Sequence, residues 1–326
     1  MSSPKLKTAL GNIVAAEKAL KTSMFKWSPD YDTAASEYTK AATNFKLAGS
    51  AEKAQDAYIK ASQMQEKLGS LFHAAKLLTQ AAGIASDLKN LEEAVTLMQR
   101  ACSLYREHGT PDTAALTISK AAKMCETGLP SKATEMYLLA AELCENDEKL
   151  RDSADHLNNA VRMELKQKKY KEAATIMKQR CELFKKLQNP NNAHQLTLCM
   201  AIVYLAAGDF VQAETAFKDG FEVDRFGDSD EAMYTEQFLK AYQEYDAELL
   251  NQTKSAPLVK YLDTEIARLA KTLELSTCKN IPSKLDIGGK SELEQFEDQL
   301  GDQDKVAGDI EQNNEADEGE VEGMLC

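Results

Sequence analysis

The sequence predicts an all-α protein: a right-handed solenoid of helical hairpins, forming a curved sheet of antiparallel helices. A small C-terminal helical bundle and a disordered acidic tail follow it. Three observations predict this. Alanine recurs at Ala34, Ala54, Ala74, Ala94, Ala114, Ala133, Ala154, Ala173, Ala193 and Ala213, a step of 19 to 21 residues each time. Turn residues fall between these marks. The net charge of −13 is concentrated at the end of the chain.

The first element is a helix, "LKTALGNIVAAEKALKTS", with Leu6, Leu10, Ile13, Val14 and Leu20 on one side. A tip holding Met24, Phe25 and the only tryptophan, Trp27, follows it, closed by Pro29 and Asp30. The repeats begin near Tyr31. Four residues after most of the repeat alanines comes a large residue: Tyr38, Tyr58, Leu78, Met98, Ile118, Tyr137, Met177 and Phe217. Seven residues after the first six comes a second alanine, from Ala41 to Ala140. Positions i, i+4 and i+7 share one face of an α-helix, so each unit is one amphipathic helix. Small residues on that face let a neighbouring helix approach, and the large one fills the gap between them.

Connections are marked by "AGS" at 48–50, "HGTPD" at 108–112, "TGLPS" at 127–131, "NPNN" at 189–192 and "AGD" at 207–209. Glycine supplies positive φ after a helix, and proline sits early in the next. With connections of about four residues, each helix has about 16 and spans about 24 Å. The segment "VYLAAGDFVQAETAFKDG" is TPR-like in Tyr204, Gly208, Phe210, Ala213, Phe217 and Gly220.

After Phe221 the period breaks, and "DSDEAMYTEQFLKAYQEYD" and "APLVKYLDTEIARLAKTLEL" predict two further helices. The resulting organisation is a repeat domain over 1–226, a bundle over 227–278 and a tail over 279–326. The tail is rich in Gly, Asp, Glu and Gln and lacks the apolar surface that would offset ordering.

From Asp286 onward the chain has 14 acidic and 2 basic residues, so the remainder is almost neutral. No net positive field exists to attract phosphates, and nucleic acid is not an expected partner. "MSSPKLK" has no apolar h-region, no run of 18 apolar residues occurs, and none of the 7 cysteines forms a CxxC pair. A cytoplasmic protein with reduced thiols is expected. No phosphate-binding glycine loop, HExxH, GxSxG or CxxC motif is present. His73, His108, His156 and His194 are far apart, and Cys125 and Cys144 share one repeat offset as small buried hydrophobes. Catalysis, a cofactor and a metal are therefore not expected.

Stacked hairpins present binding surfaces. The stretch 162–186 carries 9 basic and 3 acidic residues, which makes Lys168, Lys169, Lys171 and Lys178 candidate docking residues for an acidic partner. Met24, Phe25 and Trp27, flanked by Lys21 and Lys26, are candidates either for a shallow membrane contact or for a cap on the solenoid core.

With "YDTAASEYTKAATNFKLA", "LFHAAKLLTQAA", "EEAVTLMQRACSLY" and "LVKYLDTEIARLAKTL" in this order, the chain resembles the soluble attachment proteins (SNAPs) over roughly 1–275. "FKWSPDYDTAASEY", "HGTPDTAA" and the acidic tail ending in "MLC" are most similar to the gamma branch. The resemblance implies an adaptor in vesicle transport and membrane fusion. Such a protein binds a SNARE complex of the syntaxin-type bundle, recruits the NSF-type hexameric ATPase for disassembly, and touches membrane lipid with its apolar tip. On that basis the lysines would face the SNARE bundle, and Glu244, Asp246, Glu248, Leu273 and Leu275 would face the ATPase. The alternative is a general helical-repeat scaffold for trafficking proteins with little disassembly activity.

Overall fold

The computed structural model describes residues 4–22, 27–278 and 281. The expected disorder of the tail, and Met24, Phe25 and Lys26 of the tip, lie outside the described residues. The described residues fall within one compact unit, Met1–Ile281.

Ten helices repeat after an opening one. They are α1 (Pro4–Leu20), α2 (Tyr31–Leu47), α3 (Ala51–Lys67), α4 (Leu71–Asp87), α5 (Leu91–Glu107), α6 (Pro111–Cys125), α7 (Pro130–Asn146), α8 (Leu150–Lys166), α9 (Tyr170–Lys186), α10 (Pro190–Ala206) and α11 (Phe210–Gly220). Each packs on the next in sequence. From α2 onward three-residue connections join them, lengthened to four after α6, so each helix reverses the direction of the last.

The repeat alanine is the fourth residue of its helix in α2 to α7 and in α9 to α11, and it is fully buried in all of them. In α8 the register differs from the sequence expectation. Ser153 holds the fourth place and Ala154 the fifth, so Leu157 and Ala160 fill the eighth and eleventh places. The Ser153 hydroxyl donates to Glu145 Oε1 at 3.0 Å, which lets a polar side chain replace a methyl in the core. With Ser153 counted, the only step that departs from 20 is the one between α6 and α7.

Helix exits repeat as well. Gly49 N–H donates to Lys46 C=O at 3.1 Å and Ser50 N–H to Phe45 C=O at 2.9 Å, a Schellman closure. It needs a left-handed residue, which is glycine at 49, 69, 109 and 208. Lys89, Glu148, Lys168 and Gln188 take the same conformation with φ between 52° and 65°. A Cβ in that region costs roughly 1–2 kcal/mol. Four of these eight turns lack glycine, and of those four only the one before Pro190 adjoins a turn signal marked in the sequence.

α1 buries Ala9, Ala16 and Ala19, and of the expected apolar side Leu6, Ile13 and Leu20 are half-buried. Leu10 and Val14 are exposed, because α1 packs on α2 and no other described element lies against its far side.

Beyond α11 the chain forms α12 (Asp230–Gln243), α13 (Ala247–Ser255), α14 (Pro257–Lys260) and α15 (Thr264–Lys271), then a 3-10 turn at Leu275–Thr277. The last of the expected helices is thus divided, and α13 was not expected. Asp246 and Asp263 cause the breaks: each accepts hydrogen bonds from the first backbone N–H groups of the helix it begins. α12 and α15 both pack on α10, and α15 reaches α8. This explains why α10 is buried on nearly every side, from Ala193 to Leu205.

Gln188→Gly and Glu148→Gly should each stabilise the protein by about 0.5–1 kcal/mol, since relief of the strained turn exceeds the added freedom of the unfolded chain. Ala121→Leu should cost about 1–3 kcal/mol by overpacking. Urea melts of the three variants against the parent check both signs.

Candidate functional site

The basic stretch divides in two. Lys168 and Lys169 form the turn between α8 and α9, Lys171 and Lys178 stand one and eight residues into α9 after Tyr170, and all four are exposed. Lys171 and Lys178, seven apart, share one side of the helix. Lys169 Nζ donates to Ser131 Oγ at 3.3 Å and lies 3.8 Å from Glu164, which ties the turn to the start of α7. Lys168, Lys171 and Lys178 make no ion pair among the described residues. Farther along α9, Lys185 bridges Glu182 and Glu222 at 3.0 Å each, so its charge is already met. Unneutralised positive charge therefore gathers at the α8–α9 turn. Arg162 and Arg180, by contrast, line a cavity.

At the opposite end of the repeat, Trp27 is 90% exposed and covers none of the core. The segment bearing it is held at its base, where Asp30 N–H donates to Ala19 C=O at 3.0 Å. Asp30 also caps α2, its carboxylate accepting from Thr33 N–H at 2.9 Å.

Near the C-terminus, Glu244 ends α12 and Glu248 opens α13, both exposed. Asp246 lies between them, its carboxylate accepting from Glu248 and Leu249 N–H at 2.9 Å. Leu273 and Leu275 are only 2% and 8% exposed. They pack inward because the chain after α15 folds back on α10, where Cys278 Sγ meets the Leu205 carbonyl at 3.6 Å. Both side chains belong to the core, and neither presents a surface to a partner. Tyr245 and Tyr261, 68% and 86% exposed, are the most exposed large side chains at this end. Their helical setting in the sequence concealed them, since the breaks at Asp246 and Asp263 push them outward.

Among the described residues no three of His, Cys, Asp and Glu gather as a metal would require. His194 Nε2 pairs with the Asp224 carbonyl at 2.9 Å, and His156 stacks on Tyr137. Burial lowers the His156 pKa, which favours its neutral form. Six cysteines are free and buried. Burial pushes Cys102, Cys144 and Cys278 up to about 11 and Cys199 to about 12. No described helix is long and apolar enough to cross a membrane.

A family model described as "Soluble NSF attachment protein, SNAP" matches residues 7–256. The chain belongs to the soluble NSF attachment protein family. It is similar to the gamma-soluble NSF attachment protein of Dictyostelium discoideum, 30% identical over 260 residues, which are 80% of this chain and 80% of that protein. The protein of that name from Arabidopsis thaliana is 32% identical over 258 residues, 79% of this chain and 89% of its own length. A STAND protein with a tetratricopeptide-repeat sensor from Pyrococcus horikoshii is 15% identical, covers 83% of this chain and 44% of its own, and has a TM-score of 0.39. Soluble NSF attachment proteins are adaptors rather than enzymes.

At pH 8 a thiol shifted to 11 holds roughly one thiolate per thousand molecules. Iodoacetamide should therefore label Cys102, Cys144, Cys199 and Cys278 far more slowly in the native protein than in urea. Peptide mass spectrometry over time checks this, and fast native labelling of Cys199 would contradict it.

Proposed function

We propose that the chain is an adaptor that binds SNARE complexes and recruits an NSF-type ATPase for their disassembly. Membership of the attachment-protein family over residues 7–256 carries this reading. The partner supplies the ATP chemistry. The chain contributes a stack whose contacts are local and rigid, leaving its exposed positions for docking.

Each surface has a physical role in this reading. Lys168, Lys169, Lys171 and Lys178 give a SNARE bundle with acidic side chains an exposed positive face, in which Lys169 alone is already paired, with Glu164. Glu244 and Glu248 give the ATPase an acidic one. Asp246 holds the turn between them by capping α13. Trp27, with Met24 and Phe25, partitions into the membrane interface while the stack engages its partner. A tryptophan suits that depth, with a large apolar ring and one N–H donor. The contact alone is weak and gains strength when a membrane-embedded SNARE supplies a second attachment.

Co-precipitation of the full chain with an assembled SNARE bundle and the hexameric ATPase tests the proposal. The ATPase should be retained on the bundle only when the chain is present. Reversing charge at the four lysines should weaken bundle binding about tenfold at low salt, flatten its salt dependence and leave melting within about 0.5 kcal/mol of the parent. Phe25→Ser with Trp27→Ser should slow disassembly on liposomes but not with soluble SNARE fragments. Equal losses in the two assays would remove the membrane role.

A further inference from the structure

Arg180 occupies the eleventh place of α9, which is alanine in each of the seven helices α2 to α8. A slot sized for a methyl group cannot hold a guanidinium. The side chain instead enters a cavity of about 310 Å³ formed by α8, α9, α10 and the Tyr261–Asp263 connection. There its Cζ lies 5.1 Å from the centre of the Phe184 ring, and Nη1 donates to Asn158 Oδ1 at 3.0 Å. The Nε–H is buried and has no hydrogen-bond partner, and Nη2 makes none among the described residues.

The acids nearby do not supply the missing partner. Asp263 Oδ2 accepts from Arg162 Nε at 2.9 Å and Nη2 at 2.7 Å, and its Oδ1 accepts from Glu265 N–H at 3.1 Å. Asp155 is exposed and makes no ion pair with Arg180. Burial outweighs the pull of Cys199, Asp155 and Asp263, and with Arg162 opposing them it draws the Arg180 guanidinium below its ordinary value. A cation held in this way costs free energy unless something pairs with it.

We propose that the Arg180 cavity is a binding site for one compact oxyanion, of the carboxylate or phosphate class, received on the unpaired Nε–Nη2 edge. That edge of a guanidinium presents two parallel N–H donors, the geometry that takes two oxygens of one anion. Asn158 holds the opposite edge and Phe184 the face, so the fork is aimed before the anion arrives. Arg162 faces the same cavity and adds to the local field, and Tyr261 stands exposed beside its lining. The site is separate from the exposed lysines of α9, because Arg180 is half-buried and lines the cavity, which Lys171 and Lys178 do not.

The experiment is a thermal melt of the full chain in sodium phosphate, sodium glutamate and sodium chloride at matched ionic strength. The Arg180 Nε–H resonance is followed in a proton–nitrogen spectrum during each titration. Phosphate stabilises folded proteins in general, so the difference between parent and variants is the readout. The parent should gain roughly 2–4 °C at saturation, and the Nε–H signal should move with the same midpoint. A gain with phosphate alone assigns the phosphate class, and a gain with glutamate alone the carboxylate class. Arg180→Met should abolish the anion-specific gain and raise the melting temperature in chloride, since it removes a half-buried cation that no carboxylate pairs. Arg180→Lys keeps the charge without the fork and should weaken the response severalfold. No anion-specific gain in the parent, or the same gain in Arg180→Met, overturns the proposal.

Discussion

Two methyl-sized side chains per helix set the spacing of the stack. Alanine at the fourth and eleventh places lets neighbouring axes approach closely, toward the short end of the usual 8–10 Å, and a large residue at the eighth place fills the space between. Because each helix meets the next in sequence, the core is a chain of near-identical local contacts. Exposed positions carry almost none of that burden. They are free to differ from repeat to repeat, and docking residues can collect there without cost to the fold.

The constraint loosens at α9 and α10, and the molecule changes character there. Arg180 and Met200 stand where alanine stood, and α12 and α15 close around α10. The repeat ends by wrapping its last long apolar helix, which leaves Leu273 and Leu275 in the core and the acidic and aromatic residues of α12 to α15 outside. At the other end α1 is covered on one side only, and Leu10, Val14 and Trp27 face solvent. The two ends thus offer different chemistry, apolar at one and acidic with exposed tyrosines at the other. The proposed role, with a membrane at one end and an ATPase at the other, would use a difference of this kind.

The repeat was legible because it rests on side-chain size, which is written directly in the sequence. Helix lengths followed from the period: 16 residues were expected, and 17 occur in most of the repeats. What escaped depends on partners distant in the chain. Ser153 could not be read as an alanine equivalent without Glu145 beside it. The break at Asp263 rests partly on Arg162, about a hundred residues earlier, and the burial of Leu273 on α10. Lys168 was recognised for its charge but not for its left-handed backbone, which only the closed turn imposes. Arg180 was counted among surface charges, and only its setting between Asn158 and Phe184 distinguishes it from the lysines around it.

The most direct test of the adaptor account is hydrogen exchange on the full chain, first with a SNARE bundle and then with the bundle and the ATPase together. The account predicts that the bundle slows exchange in the α8–α9 turn and the first half of α9. Addition of the ATPase should then slow exchange in the α12–α13 connection around Glu244 and Glu248. Exchange unchanged in both regions, with protection falling elsewhere or nowhere, would contradict it.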